Sequence, residues 1–360
     1  MKTVLFEVHH LYYWPNFQPI IEKMIRRKNF KVAVSMPMRN SSIESNILHD
    51  AVSKLSVPFI EAETEKERIE KIIKKSFEIF IIGNVGKINK MVNENTIVVM
   101  VYHGIGLKNS YYTDVNNRIN LRAIESLDRF NELKNQGYKN LILTGFTKLD
   151  RLFTIDDREI AILKKNIKIN ERKKTILYAP SFYPTSIEKI GLQLPLLSQY
   201  FNIIIKLHGF SWEQKRYMYQ SEFCTKLSRE NKNIFLVPNN KFDIVPFYKI
   251  ADILVTEISS TMFEFLPLNK PIILAQCYSL RLKHRIFPYR FWKRLDLERL
   301  EDVDFAYIIS RPEDLFSRVY FALENQKEMH AKREKAAENY LYKNDGKASD
   351  RLLDALDSYN

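Results

Sequence analysis

The sequence has little glycine, almost no cysteine and no long uncharged apolar segment. Its 360 residues include 9 glycines and two cysteines, Cys224 and Cys277. Two cysteines cannot staple a chain of this length, so a disulfide-rich scaffold is excluded and a reducing compartment is expected. The most apolar stretch, 263–280, contains Glu264 and Lys270, whereas a spanning helix needs about 18 or more consecutive apolar residues. We therefore expect no transmembrane helix.

The amino terminus does not have the pattern of a secretory signal peptide. Residues 1–6 begin with an apolar run, but Glu7, His9 and His10 follow too soon for an apolar signal region. The sequence therefore predicts a cytoplasmic protein. Peripheral binding to the inner face of the cell membrane stays open.

Acidic residues are outnumbered by basic ones. The chain has 56 Lys and Arg against 43 Asp and Glu, which gives a formal net charge of +13. This excess favours an anionic partner: a nucleotide, a phosphorylated polymer, nucleic acid or a lipid headgroup. Because the basic residues are spread along the chain and no standard nucleic-acid-binding module is visible, we expect no nucleic-acid partner.

Short apolar runs alternate with amphipathic stretches along most of the chain. At about 150 residues per domain, the length indicates two domains. The alternation predicts α/β architecture, with two Rossmann-like domains facing a cleft and a C-terminal helical tail. The predicted strands are 4–8, 31–36, 57–60, 78–82, 97–102, 121–126, 141–143, 175–179, 202–207, 234–237, 252–256 and 271–275. The predicted helices are 17–27, 43–55, 65–75, 211–229 and 260–268, followed by helices within 312–359. The predicted boundaries are 1–155 for the first domain, 156–172 for a linker helix, 173–330 for the second domain and 331–360 for the tail.

Two histidines follow predicted strands. His103 comes directly after the strand 97–102, and His208 comes directly after the strand 202–207. Ligands of open parallel sheets bind at the carboxyl ends of the strands, and histidine is the usual acid or base near neutral pH. We expect the two histidines to meet across the cleft, while a buried histidine in a tight turn is the alternative for each. Of the other histidines, His9 and His10 are predicted to line the cleft, and His49, His284 and His330 are predicted to be surface or incidental residues.

Small polar residues follow two further strands of the second domain. Glu257 and the hydroxyl residues 259–261 stand between the strand 252–256 and a predicted helix. Serine and threonine are ordinary helix caps there; alternatively, free amides and hydroxyls bind a phosphate and Glu257 contacts a ribose or an acceptor hydroxyl. Pro180 and Ser181 suit either a loop that faces a base or ribose, or a plain turn. Near the end, 345–351 is predicted to be a solvated turn and helix cap.

In this order, these segments resemble the CDP-glycerol glycerophosphotransferase family, which contains the primases and polymerases of teichoic acids and related capsule polymers. The resemblance covers roughly residue 97 to the end, and the paired serines and the terminal segment are its most specific parts. The matching segments are Tyr178-Ala179-Pro180-Ser181, Lys206-Leu207-His208-Gly209, Thr256-Glu257-Ile258-Ser259-Ser260, Phe263-Glu264, Lys270-Pro271, His103-Gly104 followed by Lys108, 145–150 and 345–351.

The resemblance implies a GT-B fold and a transferase. Glycerol phosphate, or a similar polyol phosphate, would pass from a CDP-activated donor to a hydroxyl of a lipid-linked or polymeric cell-surface glycan, with release of CMP. It implies an acceptor domain at 1–155, a nucleotide-donor domain at 173–330, and His103 and His208 as the catalytic pair. The implied donor-binding residues are Pro180, Ser181, Lys206, Glu257, Ser259, Ser260, Thr261 and Arg285, with Arg281 in the same basic segment. No metal or cofactor is expected.

Alternatives from the same fold stay open. A GT-B glycosyltransferase that uses a nucleotide sugar and a sugar-nucleotide epimerase share the fold expected here, and fold alone does not choose between chemistries. Ribitol phosphate, another polyol phosphate or a sugar also stays open as the transferred group.

Two segments, 10–17 and 287–294, mix aromatic side chains with basic or polar ones. Tyrosine and tryptophan favour membrane interfaces, and basic side chains favour anionic headgroups. The second segment therefore predicts reversible binding to anionic membranes through Arg290, Lys293 and Arg294. Core aromatic residues beside the cleft are an equal alternative.

Overall fold

The chain folds into two compact units, each built on one six-stranded parallel sheet. The computed structural model describes residues 1–38, 42–106, 116–293 and 297–359. Among these, unit 1 comprises 1–104, 116–153 and 339–359, and unit 2 comprises 105–106 and 154–338.

The strands of unit 1 are nearly continuous apolar runs, because a parallel sheet covered on both faces buries both sides of each strand. All four residues of Ile79–Ile82 are buried, for example. The strands are β1 (Lys2–Glu7), β2 (Phe30–Ser35), β3 (Ile79–Ile82), β4 (Ile97–Val101), β5 (Leu121–Ile124) and β6 (Leu141–Leu143). They pair in the order β2-β1-β3-β4-β5-β6. The carboxyl ends of β1, β2 and β3 therefore lie together at one edge.

Unit 2 repeats this architecture. Its strands are β7 (Thr175–Ala179), β8 (Asn202–Ile205), β9 (Ile234–Leu236), β10 (Ile253–Thr256), β11 (Ile272–Ala275) and β12 (Tyr307–Ile309). They pair in parallel in the order β12-β11-β10-β7-β8-β9. Because β8, β7 and β10 are neighbours, the segments that follow them emerge side by side. The two sheets and their helices confirm the predicted α/β, GT-B-like fold class.

Helices connect the strands and form the end of the chain. They are α1 (Trp14–Arg27), α2 (Ser42–Lys54), α3 (Glu65–Lys75), α4 (Leu127–Asn135), α5 (Asp150–Thr154), α6 (Asp157–Asn166), α7 (Ile187–Ile190), α8 (Leu194–Ser198), α9 (Phe210–Glu213), α10 (Tyr219–Glu230), α11 (Val245–Ile250), α12 (Thr261–Glu264), α13 (Leu282–Ile286), α14 (Tyr289–Trp292), α15 (Leu297–Glu301), α16 (Leu315–Glu324), α17 (His330–Tyr340) and α18 (Ala348–Asp357).

Helix α3 shows how local sequence sets an element. The Oγ1 of Thr64 accepts a hydrogen bond from the Glu67 backbone amide at 3.1 Å, which caps the helix start. Acidic side chains occupy the first turn and Lys74 and Lys75 the last, as the helix dipole favours. Ser76 ends the helix in a left-handed conformation. The predicted helix 65–75 is confirmed at both ends.

The last helix returns to unit 1. Helix α18 packs on α1, where Lys23 pairs with Asp350 at 2.6 Å and Arg27 with Asp354 at 2.7 Å. The Asp150 carboxylate accepts the backbone amides of Ala348 and Ser349 at 2.9 and 2.7 Å. The 345–351 segment therefore ties the chain end to unit 1, with Ser349 fully buried. The predicted solvated turn and helix start are confirmed, since Asp345 and Lys347 are exposed and α18 begins at Ala348. The compact units divide at 153/154 and 338/339, while the predicted functional boundaries stay predictions.

Proline explains two differences from the predicted elements. Residues 57–60 form only a bridge of Phe59 with Val34, because Pro58 has no amide to donate. The predicted helix 260–268 stops at Glu264, and a 3₁₀ turn containing Pro267 follows.

Two further elements differ from those predicted. The predicted helix 211–229 is broken into α9 and α10. Strand β12 was not predicted, since it is a three-residue edge strand with an exposed central residue.

Candidate functional site

The carboxyl edge of the second sheet brings several predicted site residues together around Glu257. This carboxylate follows β10 and is fully buried. Its Oε2 accepts the Ser181 backbone amide at 2.8 Å, and its Oε1 accepts the hydroxyls of Ser186 at 2.6 Å and Thr185 at 3.2 Å. The Ser186 backbone amide also donates to Oε1. Glu257 therefore fixes the loop after β7 to the end of β10.

Burial changes the acidity of Glu257. Desolvation raises the pKa of this carboxyl from 4.5 to about 7, although the hydrogen bonds from Ser186, Ser181 and Thr185 act in the opposite direction. The hydrogen bonds that Glu257 accepts from Ser181, Thr185 and Ser186 all hold the 181–186 loop in position. The predicted contact of Glu257 with a ribose or hydroxyl stays a prediction.

His208 has a defined tautomer. Its Nδ1 accepts the Phe210 backbone amide at 3.1 Å, and an amide N–H can only donate. Nδ1 is therefore unprotonated and the neutral ring carries its proton on Nε2. The ring lies 4.7 Å from the ring of Phe182 and 4.9 Å from that of Phe210. This arrangement makes His208 a hydrogen-bond donor through Nε2.

The neighbouring strand ends contribute buried side chains. Lys206 is only 8% exposed, and its Nζ donates to the Leu207 carbonyl at 3.3 Å. Pro180 and Ser181 are buried after β7. Lys206 therefore places a buried amino group beside the His208 segment at this edge.

The hydroxyl residues after Glu257 form a local network. Ser259 Oγ accepts the Thr261 amide at 3.4 Å and the Thr261 hydroxyl at 3.3 Å, and Ser260 Oγ donates to Glu264 Oε1 at 2.9 Å. Ser260 precedes α12 without making a side-chain cap bond. The prediction of plain helix caps is therefore wrong for Ser260. The three hydroxyl residues are partly exposed.

The structure adds a cluster that the sequence did not reveal. The Tyr183 hydroxyl bonds His284 Nδ1 at 2.5 Å and accepts the Arg281 backbone amide at 3.3 Å. The Arg281 guanidinium stacks 4.1 Å from the centre of the Tyr183 ring and donates to the Tyr217 hydroxyl. The prediction of His284 as a surface residue is wrong, because it is 3% exposed. No sequence signal joins Tyr183 and His284, which are 101 residues apart.

Arg285 differs from Arg281 in its surroundings. It lies on α13 and its side chain is exposed. Its predicted role in donor binding stays a prediction, and the contacts of Arg281 make that residue the better anchored of the two.

His103 lies in unit 1, after β4 and the buried Tyr102. Its partly exposed ring is 5.0 Å from the ring of Tyr12 and 4.6 Å, edge-on, from that of Tyr13. His103 and His208 therefore each lie just after the carboxyl end of a strand in their own unit. Their meeting across a cleft stays a prediction, and Lys108 lies outside the described residues.

The part of the chain that the structure describes has neither a membrane-spanning helix nor a cluster of metal ligands. There, no helix is both long and apolar enough to cross a bilayer. Within the same residues, no three His, Cys, Asp or Glu side chains are grouped to hold a metal ion. Of the predicted membrane segment, Phe287, Tyr289 and Trp292 are exposed, which excludes core packing for these three. Arg294 and the Arg290 side chain lie outside what is described.

Comparison with known proteins adds relatives that match parts of the chain. It is 31% identical over 147 residues to the teichoic acid poly(glycerol phosphate) polymerase of Bacillus spizizenii, covering 38% of this chain and 34% of that protein. It is 35% identical over 120 residues to the teichoic acid glycerol-phosphate primase of Bacillus subtilis, covering 31% and 28%. The matched segments thus span about a third of these relatives' own length.

Solved structures match over almost the whole chain. The wall teichoic acid polymerase TagF superposes with a TM-score of 0.72 at 16% identity, covering 99% of this chain and 88% of that one. The UDP-GlcNAc 2-epimerase of Neisseria meningitidis superposes with a TM-score of 0.64 at 15% identity, covering all of both chains. At these identities the likeness shows the shared fold.

The family itself is shown by a match of nearly full length. Residues 1–357 match the model of a family described as CDP-Glycerol:Poly(glycerophosphate) glycerophosphotransferase. The expected resemblance, drawn from strand-end motifs, is therefore confirmed. Its members are enzymes named for the transfer of glycerol phosphate. This chain belongs to the CDP-glycerol:poly(glycerophosphate) glycerophosphotransferase family.

Proposed function

We propose that the protein transfers glycerol phosphate from CDP-glycerol to a hydroxyl of a teichoic-acid-type acceptor. The acceptor oxygen attacks the phosphorus that carries glycerol, the bond from this phosphorus to the CMP oxygen breaks, and CMP leaves. The acceptor hydroxyl loses its proton to a base. The observation that carries the proposal is the glycerophosphotransferase family match over residues 1–357.

We assign binding of the CDP-glycerol donor to unit 2. Its strand-end residues supply hydrogen-bond donors for a pyrophosphate: the buried amino group of Lys206, the Nε2 donor of His208, and partly exposed hydroxyls at Ser259 and Thr261. Charge-assisted and neutral hydrogen bonds of this kind stabilise phosphate oxygens. Glu257 holds the loop that follows β7, and the loop presents Ser181 to the same edge.

The tautomer of His208 determines which of the two histidines we assign as the hydrogen-bond donor and which as the general base. With its proton on Nε2, His208 donates to the charge that develops on the transferring phosphoryl group. A ring nitrogen that already carries a proton cannot accept another from the acceptor. We therefore assign the general base to His103, at the carboxyl edge of the first sheet.

In this proposal the acceptor is a lipid-linked or polymeric glycan. The segment 287–293 binds the enzyme to the membrane surface. Exposed Phe287, Tyr289 and Trp292 beside Lys293 suit an anionic lipid interface. The Tyr289→Ser and Trp292→Ser double variant should bind anionic vesicles more weakly than the wild type in a sedimentation assay. Equal sedimentation of the two proteins would remove the membrane part of the proposal without affecting the reaction.

A donor comparison tests the reaction class. The protein is incubated with a teichoic-acid-type acceptor and either CDP-glycerol or UDP-GlcNAc, and released nucleotide is measured. CMP release that depends on the acceptor is expected with CDP-glycerol alone. Turnover of UDP-GlcNAc instead would favour the sugar-nucleotide alternatives, for which the epimerase-like fold is the supporting observation.

A further inference from the structure

A separate cavity lies within unit 1, at the carboxyl ends of β1, β2 and β3. Its volume is about 470 Å³, within the range of small-ligand sites. Glu7 ends β1, Met38 follows β2, Arg68 projects from α3, and Lys87 follows β3. None of the catalytic or donor-binding residues predicted from the sequence lines this cavity.

The buried base of the cavity is an arginine held between two carboxylates. Arg68 Nη1 donates to Glu7 Oε2 at 2.8 Å. Its Nε and Nη2 donate to the two oxygens of Glu65 at 2.9 and 3.0 Å. Arg68 is 2% exposed and Glu7 is fully buried. The Ser35 hydroxyl also accepts from Arg68. The polar groups are thus fixed in place before any ligand arrives.

One oxygen of this arrangement has no hydrogen-bond partner among the described residues. Three of the four carboxylate oxygens accept from Arg68, whereas Glu7 Oε1 is buried and bonds no atom in the described part of the chain. Buried acceptors in folded proteins are nearly always paired. Glu7 is part of the cavity lining, so a ligand group that donates a hydrogen bond would complete its pairing.

The charges of the lining favour a neutral ligand group that donates a hydrogen bond over an ionic ligand group. The acidic residues Glu7 and Glu65 are matched in number by the basic residues Arg68 and Lys87 in the same lining. A hydroxyl suits Glu7 in either protonation state, because it donates to a carboxylate and accepts from a carboxylic acid. This matters because burial raises the pKa of Glu7 while Arg68 and Ser35 lower it.

The rest of the lining favours a carbon chain. Pro37, Met38 and Met91 contribute apolar surface to the same cavity, and methionine adapts to irregular shapes. A polyol combines hydroxyls with a carbon backbone. We propose that this cavity binds a polyol segment of the acceptor polymer, with one hydroxyl paired to Glu7 Oε1. This assignment rests on the proposed function, which supplies a polyol-containing acceptor.

The rim offers a variant that leaves the buried ion pairs intact. Replacing Glu7 would remove one of the two carboxylates that pair with the buried Arg68 and would endanger folding. We therefore prefer Met38→Trp, because Met38 is 44% exposed and the larger ring would fill the cavity mouth. Ile25→Trp is the matched control, since Ile25 is 41% exposed on α1 and does not line the cavity. Both variants of the 360-residue chain are assayed with CDP-glycerol and a synthetic glycerol phosphate oligomer.

The expected result is a change in acceptor kinetics alone. Met38→Trp should raise the KM for the oligomer by about tenfold or more and change the KM for CDP-glycerol by less than about twofold, while Ile25→Trp changes neither. An oligomer KM within about twofold of wild type, or a change confined to CDP-glycerol, would overturn the assignment.

A binding measurement keeps this test separate from the reaction. If the wild type transfers nothing from CDP-glycerol, the proposed function fails, and the cavity is then tested by saturation-transfer NMR with glycerol. Binding of glycerol to wild type and to Ile25→Trp but not to Met38→Trp would support a polyol site. No glycerol signal, or equal signals from all three proteins, would overturn it.

Discussion

Replacing Glu257 by glutamine should remove a specific pH dependence of stability. The carboxyl is fully buried, and desolvation raises its pKa from 4.5 to about 7 in the folded state. Between these two values the native protein holds a proton that the unfolded chain has released. Stability therefore falls as pH rises through this window, and the loss is complete above about pH 7.

The size of the effect follows from the shift. Each pKa unit corresponds to about 1.4 kcal/mol, so Glu257 should cost on the order of 3 kcal/mol of unfolding free energy between pH 4.5 and pH 7. Glutamine does not titrate, so the variant does not lose this unfolding free energy as pH rises. It also places an amide where the carboxylate accepts four hydrogen bonds, which costs about 1–3 kcal/mol at every pH. Relative to wild type, the variant should therefore gain stability as pH rises.

Urea unfolding of both proteins at a series of pH values measures this difference. Subtraction cancels the titration of all other groups, and the exposed Glu222→Gln controls for the change of charge, with an expected effect below about 0.5 kcal/mol. A wild-type minus Glu257→Gln difference that stays constant within about 0.5 kcal/mol from pH 4.5 to pH 8 would refute the assigned pKa and its origin in burial.

The remaining predictions concern the reaction. His103→Ala should lower turnover by about 100-fold or more with little change in CDP-glycerol affinity measured by calorimetry; near-wild-type turnover would remove its role as base. His208→Gln, whose amide can replace the Nε2 donor, should retain at least about tenfold more activity than His208→Ala; equal activities would contradict the donor role. Ser259→Ala should weaken CDP-glycerol binding, while its thermal midpoint falls less than that of Ser260→Ala, which removes one hydrogen bond to the buried Glu264. Unchanged affinity in Ser259→Ala would move the donor site elsewhere.

The elements were predictable where local sequence decides them. Buried parallel strands are continuous apolar runs, so β3 and β7 could be recognised without their neighbours. Helix α3 carries its cap at Thr64 and its charges at both ends. The short edge strand β12 offered no such run, because its central Ile308 is exposed.

The site was predictable only as a set of strand ends. Parallel strands bring their carboxyl ends to one edge, and this gave Ser181, Glu257 and His208 as neighbours. The partners of each residue depend on tertiary packing: Glu257 holds Ser186, 71 residues away, and the Nδ1 of His208 is set by the Phe210 amide. The sequence does not encode such distances, and so the structural role of Glu257 and the burial of His284 appeared only in the fold.

The central claim is the transfer of glycerol phosphate from CDP-glycerol, and product mass measures it most directly. The wild type is incubated with CDP-glycerol and a lipid-linked disaccharide, and the lipid product is analysed by mass spectrometry. The account predicts a product heavier than the acceptor by one or more glycerol phosphate units, together with CMP, and much less product from His103→Ala. An unmodified disaccharide, or a product that gains a sugar from UDP-GlcNAc instead, would contradict it.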